Sequence, residues 1–197
     1  MATSNNNEIT VKIKCSFEEL EMMLKRQCFK ELNKYSTTDI FLIPNEIDIK
    51  KETSREILKK AILLREFNGI TTNRNSKKIT FKKKDINDKG EILSQSSIKC
   101  SIDNIEDAKE LFKNIGYKEI MKIDELHTSY ERDSLKLIAK KNISTNVILI
   151  EIETNEKYQT IEQLKQEINK IDIPFDTSNY FVKKAEDELD KIKNNGE

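Results

Sequence analysis

The clearest pattern in the chain is a strict alternation close to its start. From Glu8 to Lys14, the apolar residues Ile9, Val11 and Ile13, continued by Cys15, fall on one face of a strand, and Glu8, Thr10, Lys12 and Lys14 fall on the other. A second strand of this kind lies far downstream, from Val147 to Glu153. There Ile148, Ile150 and Ile152 share one face, and Leu149, Glu151 and Glu153 the other. The two strands offer three carboxylates, Glu8, Glu151 and Glu153, to one place.

The segments between them switch period. Ser16 with Glu19 forms a capping box, and Phe17, Leu20, Met23 and Leu24 then recur at helical spacing, which predicts a helix over 17–28. Residues 29–43 read as extended pieces stopped by Pro44, and 46–53 as a charged connection. The stretch from Thr53 is locally ambiguous between helix and strand, and reads best as a short helix capped by Ser54 followed by a strand ending at Asn68-Gly69. KKITFKKK, from Lys77, alternates again; Asp88-Lys89-Gly90 turns the chain into a strand over 91–102. Asp103 with Glu106 predicts a second capped helix that ends at Gly116. Strands follow over 117–131, 134–141 and 145–153, then a helix capped by Thr160 and Gln163, and a last one begun by Ser178. The final residues, 190–197, read as a frayed tail.

A helix precedes a run of strands twice, near residues 20 and 110, which suggests two similar halves. Antiparallel strands carrying charge on one face close naturally around a polar interior. The expected class is therefore α+β: a closed antiparallel β-barrel with peripheral helices, forming one domain over 1–197 with its core in 8–182; the count of eight strands is what the family resemblance described below implies.

Composition narrows the partners. Charged residues make up 36% of the 197, with 35 basic balanced by 35 acidic, so no net field draws the chain to nucleic acid or to a membrane surface. No apolar run approaches the roughly 18 residues of a spanning helix, and the first residues lack the apolar stretch of a signal peptide. A cytoplasmic protein is the expectation, and a homodimer is compatible with the chain. Cys15, Cys28 and Cys100 have no CxxC or Cys/His spacing, which points to reduced core-filling thiols and no structural zinc.

Several short segments resemble, in order, the CYTH family of triphosphate tunnel metalloenzymes, which includes class IV adenylyl cyclases, thiamine triphosphatases and inorganic triphosphatases. Glu8, Thr10 and Lys12 occupy the frame of the family's opening ExExK. Asp39 to Leu42 with Pro44 resembles its DxYF strand, Ala61 to Arg65 its ALRIR strand, and Ile79 to Lys82 its LTYK strand. Asn114 to Tyr117 is similar to its helix-ending glycine turn, Leu149 to Glu153 to its FLEIE strand, and Ser178 to Phe181 to its SYxEL end. The resemblance implies an eight-stranded tunnel that grips a triphosphate with basic side chains and holds Mg²⁺ or Mn²⁺ with acidic ones. Carried over residue by residue, it implies metal ligation by Glu8, Glu151 and Glu153 and catalytic roles for Glu8, Lys12 and Lys82; the candidate substrate contacts are the cationic Lys12, Lys14, Arg65, Lys82 and Lys84, with His127 as a further phosphate or base contact. The implied reaction is cyclisation of ATP to cyclic AMP and pyrophosphate. The alternatives are hydrolysis of inorganic or thiamine triphosphate, or a nucleotide- or polyphosphate-binding protein with weakened catalysis.

The departures are also legible. Thr10 stands where the family has a second glutamate and Leu63 where it has an arginine. Glu125 and His127 fall on its KxR pair, and Lys140 near an expected aspartate.

Overall fold

The computed structural model describes residues 8–86 and 92–195, with the side chains of 82–96 and 195 outside the description. The strands are β1 (Glu8–Lys12), β2 (Lys30–Pro44), β3 (Ile62–Gly69), β4 (Asn75–Ile86), β5 (Ile92–Ile102), β6 (Tyr117–Arg132), β7 (Leu135–Asn142) and β8 (Ile148–Glu153). The helices are α1 (Phe17–Arg26), α2 (Ser54–Lys59), α3 (Ile105–Asn114), α4 (Ile161–Asn169) and α5 (Lys184–Asn195). All eight strands join one antiparallel sheet in the order β1-β8-β7-β6-β2-β3-β4-β5. The α+β class is as expected. The predicted turn at Asp88-Lys89-Gly90 lies outside the described residues.

The two expected halves are visible in the topology. β2 follows α1, β6 follows α3, and these two long strands pair at the centre of the sheet, from Lys30 opposite Glu131 to Pro44 opposite Tyr117. A meander runs outward from each, β3-β4-β5 on one side and β7-β8 on the other, with β1 added beyond β8.

Among the described residues the sheet is not closed by hydrogen bonds, so the closed form of the expected barrel is not confirmed. β1 and β5 remain its edges. The physical reason on the β1 side is that the chain itself covers that edge. The Thr10 N–H donates to the Tyr180 carbonyl at 2.9 Å, Val182 N–H to the Thr10 carbonyl at 3.0 Å, Asp176 N–H to the Lys12 carbonyl at 2.8 Å, and Lys14 N–H to the Pro174 carbonyl at 2.8 Å. Edge groups satisfied this way have nothing left for β5.

This cover also explains a correction. Ser178 starts no helix: its N–H and hydroxyl both donate to the Asp176 carboxylate, at 3.0 and 2.7 Å, a local turn that competes with helix formation. The last helix begins instead at Lys184 and runs to Asn195, past residue 190 where the sequence predicts a frayed tail. Smaller shifts follow the same logic of local capping. α2 is capped by Thr53, whose hydroxyl accepts from Glu56 N–H, and α3 by Asn104 in place of Asp103. Of the cysteines, Cys28 and Cys100 are exposed and only Cys15 is half-buried, so they do not fill the core. Burial pushes the Cys15 thiol pKa up.

The apolar face of the sheet carries most of the core. Ile9, Val11, Leu137, Ala139, Ile148, Ile150 and Ile152 pack against Leu20 and Leu24 of α1 and Leu164 and Ile168 of α4. α3 covers Ile40, Leu42 and Leu64 with Ile105 and Ala108. α2 and α5 close a third cluster around Ile43, Ile57, Met121, Ile123 and Leu189. Arg55 of α2 reaches Glu186 of α5 at 3.3 Å, and the Ser54 hydroxyl bonds Asp190.

Ile150 is fully buried in the largest cluster and directly precedes Glu151. Truncation to alanine is expected to cost about 3 kcal/mol, checked by the shift in unfolding free energy in urea; a loss below about 1 kcal/mol would mean that β8 is not held from this side.

Candidate functional site

Because cross-strand partners share a face, the registers identify what lies opposite the apolar core. Thr10 faces Glu151, Glu8 faces Glu153, Thr37 faces Glu125, Asp39 faces Arg65, and His127 faces Lys140. The two strands with which the sequence is framed therefore meet. On this face Thr10, Thr37, Asp39, Thr80, Glu125, His127 and Asn142 are all buried. A solvated strand face does not bury its polar residues, so this one is enclosed although the sheet is open. α5 contributes to the enclosure, since its first residue, Lys184, reaches Glu125 at 2.6 Å and lies 3.9 Å from Asp39.

The carboxylates of Glu8, Glu151 and Glu153 each offer an oxygen within 4.8 Å of the others. Glu8 and Glu153 are exposed and Glu151 is half-buried, so the group stands at the rim of the polar face. Hard carboxylate oxygens this close suit Mg²⁺ or Mn²⁺, which take oxygen ligands and keep several waters. Glu151 also pairs with the Lys140 ammonium across β7 and β8. Lys12 follows on β1, exposed and two residues beyond Thr10.

Deeper in, the charges are paired among themselves. Arg65 forks onto Asp39 through Nε and Nη2, both at 2.6 Å, while Asp39 is 2% exposed. With those two donors engaged, an anion would meet the remaining edge of the guanidinium. His127 Nε2 lies 2.9 Å from the Thr37 hydroxyl and 3.3 Å from Glu125, and its ring stacks on Tyr35 at 4.7 Å between centroids. Glu125 Oε1 and His127 Nδ1 have no partner among the described residues. Burial would raise the pKa of Glu125, but the hydrogen bond from His127 and the Lys184 ammonium outweigh it and hold it at about 2. Burial lowers the pKa of His127, which keeps the imidazole neutral.

The other sequence-derived positions separate. β1 ends at Lys12, and Lys14 turns toward Asp176 at 3.8 Å, largely in solvent. Lys82 and Lys84 lie on β4 opposite Ser97 and Gln95, with side chains outside the description. Residues that sequence reasoning did not assign to the site include Asp39, Glu125, Lys140, Lys184, Thr37 and Tyr35. Lys140 was visible only as a departure from a motif, and Lys184 carried no local signal, since it arrives on the last helix.

No family model matches the chain, and no curated protein does. Solved structures match in fold. A protein of Pyrococcus horikoshii OT3, PH1819, shares 19% identity at a TM-score of 0.65, over 94% of this chain and 99% of that one. A candidate adenylate cyclase from Vibrio parahaemolyticus shares 11% identity at a TM-score of 0.59, over 94% and 97%. A candidate adenylyl cyclase from Hippeastrum, HpAC1, described as having a dominant triphosphatase activity, shares 13% at 0.58, over 96% and 95%. At these identities the likeness is one of fold, and at that level the resemblance to the CYTH proteins is borne out.

The buried pair gives a pH dependence with a definite sign. Glu125 has its pKa depressed from 4.5 to about 2 and His127 has its own lowered from 6.5, so in both cases the unfolded chain takes up protons first on acidification. Stability contributed by His127 is lost as pH falls below about 6.5, and that from Glu125 as pH falls from about 4.5 toward 2. The wild type is expected to lose urea stability steadily between pH 6.5 and 3, and Glu125→Gln to be less stable at pH 7 but to lose less over pH 4.5 to 3. Parallel profiles would show that the carboxylate is not paired as described.

Proposed function

We propose that the enclosed polar face binds a nucleoside or other organic triphosphate together with one Mg²⁺ or Mn²⁺, and cleaves it, with conversion of ATP to cyclic AMP and pyrophosphate as the leading reaction. The single observation that carries this reading is the convergence of Glu8, Glu151 and Glu153 at the rim of a face whose polar residues are buried. The fold shared with candidate adenylate cyclases supports it.

Phosphoryl transfer asks a protein mainly for charge neutralisation and alignment. A divalent ion, when bound, supplies Lewis-acid neutralisation of the non-bridging oxygens. The chain's own part is to hold that site with Glu8, Glu151 and Glu153, and to place the Lys12 ammonium on the same strand as Glu8, where it meets phosphate oxygens. Lys82, on β4, is assigned to the substrate as a second ammonium, with Lys84 beside it. Arg65, anchored by Asp39, presents its remaining donors in a fixed orientation. Thr10 replaces a carboxylate with a hydroxyl and lowers the negative charge of the cluster by one.

Hydrolysis is the second reading, favoured by the activity described for the Hippeastrum protein. The same ligands serve both reactions; what differs is whether a ribose hydroxyl or a water lies in line with the phosphorus that is attacked.

Incubation with ATP, inorganic triphosphate or thiamine triphosphate and Mn²⁺ distinguishes the outcomes. Cyclic AMP with pyrophosphate supports cyclisation, and orthophosphate supports hydrolysis. Ligand protection against heat without product would overturn turnover and leave a binding protein. Glu151→Gln and Lys82→Ala are each expected to reduce the rate by about a hundredfold or more while circular dichroism spectra remain unchanged. Wild-type rates in both variants would overturn these assignments.

A further inference from the structure

The three rim carboxylates place like charges within 4.8 Å of one another, and a neighbouring cation relieves their mutual repulsion. β7 supplies one. Lys140 sits opposite His127 on β6 and Leu149 on β8, on the polar side of the sheet, and its ammonium bonds Glu151 Oε2. The two side chains are only 15% and 16% exposed, so the contact is sheltered from solvent screening in a way that most surface pairs are not. The oxygen that Lys140 holds belongs to the carboxylate that sits most deeply in the cluster, because Glu8 and Glu153 are exposed and Glu151 is not. A divalent ion bound by all three carboxylates and the Lys140 ammonium therefore compete for the same group.

We propose that Lys140 is a resident counter-cation of the carboxylate cluster, occupying Glu151 until a divalent ion displaces it and thereby setting the affinity of the site for that ion. The inference rests on the reading of Glu8, Glu151 and Glu153 as a metal site, and adds to it a residue that is not a ligand. Displaced from Glu151, the ammonium stays tethered to β7 on the enclosed face, where it adds positive charge next to the bound ion and becomes a partner for phosphate oxygens. Lys140 in this role governs affinity for the ion and does not touch the reacting phosphorus.

The test uses the full chain and Mn²⁺ alone, by isothermal titration calorimetry, with no substrate present. Lys140→Met removes the competing charge and is expected to bind Mn²⁺ about tenfold tighter than the wild type or more. Lys140→Arg keeps the charge and is expected to stay within about threefold. Should the methionine variant fail to fold, Lys140→Gln, neutral and polar, carries the same expectation. Equal or weaker Mn²⁺ binding in the neutral variant would overturn the inference, and a loss of thermal stability without a gain in affinity would reduce Lys140 to a structural ion pair and overturn it also. Glu151→Gln separates this from the reading beneath it. If the wild type binds Mn²⁺ and Glu151→Gln binds it equally well, or if neither the wild type nor the neutral variant binds it, the metal site itself falls and the inference with it.

Discussion

A charge taken out of water has to be matched at short range, and the polar face of this sheet is organised by that requirement. Asp39 and Glu125 are almost fully buried, where a carboxylate without a close partner is costly. Arg65 answers Asp39 from the neighbouring strand, in a two-pronged geometry that a lysine could not reproduce. Lys184 answers Glu125 from α5, and the neutral His127, stacked on Tyr35 and bonded to Thr37, completes the network. Because one cation arrives on the final helix, the network ties the end of the chain to the centre of the sheet.

The same requirement divides the face into two regions. In its interior Arg65 pairs with Asp39 and Lys184 with Glu125. At the rim, three carboxylates stand close together with Lys140 against one of them and Lys12 exposed nearby. A site that exchanges cations and admits a polyanion belongs at such a rim, where solvent can carry them in, and where the core behind Ile148, Ile150 and Ile152 keeps the ligand-bearing strand rigid.

The open edges of the sheet follow from the same economy of satisfied groups. β1 takes its outer hydrogen bonds from residues 174–182 and not from β5, so enclosure is reached with side chains and α5 in place of a closed ladder. The turn made by Asp176 and Ser178 holds that covering segment out of a helix, which is why the last helix starts at Lys184, where its lysine meets Glu125.

Alternation and capping belong to neighbouring residues, and for that reason they were legible in the chain. Period-two patterns marked β1 and β8 with their carboxylates on the correct side, and Ser16 with Glu19 and Thr160 with Gln163 marked two helices that form with those caps. The ordered resemblance of short segments pointed to an eight-stranded antiparallel sheet with peripheral helices, which the structure has. What the chain could not display is any relation between residues distant in sequence. That Arg65 is engaged by Asp39, that Glu125 and His127 are buried in a pair with Lys184, that Lys140 leans on Glu151, and that β1 is covered by 174–182 all depend on which strands become neighbours. Local pattern determined the elements and the face each side chain takes; tertiary structure alone decided which charges meet, because Coulomb energy depends on distance in space and not along the chain.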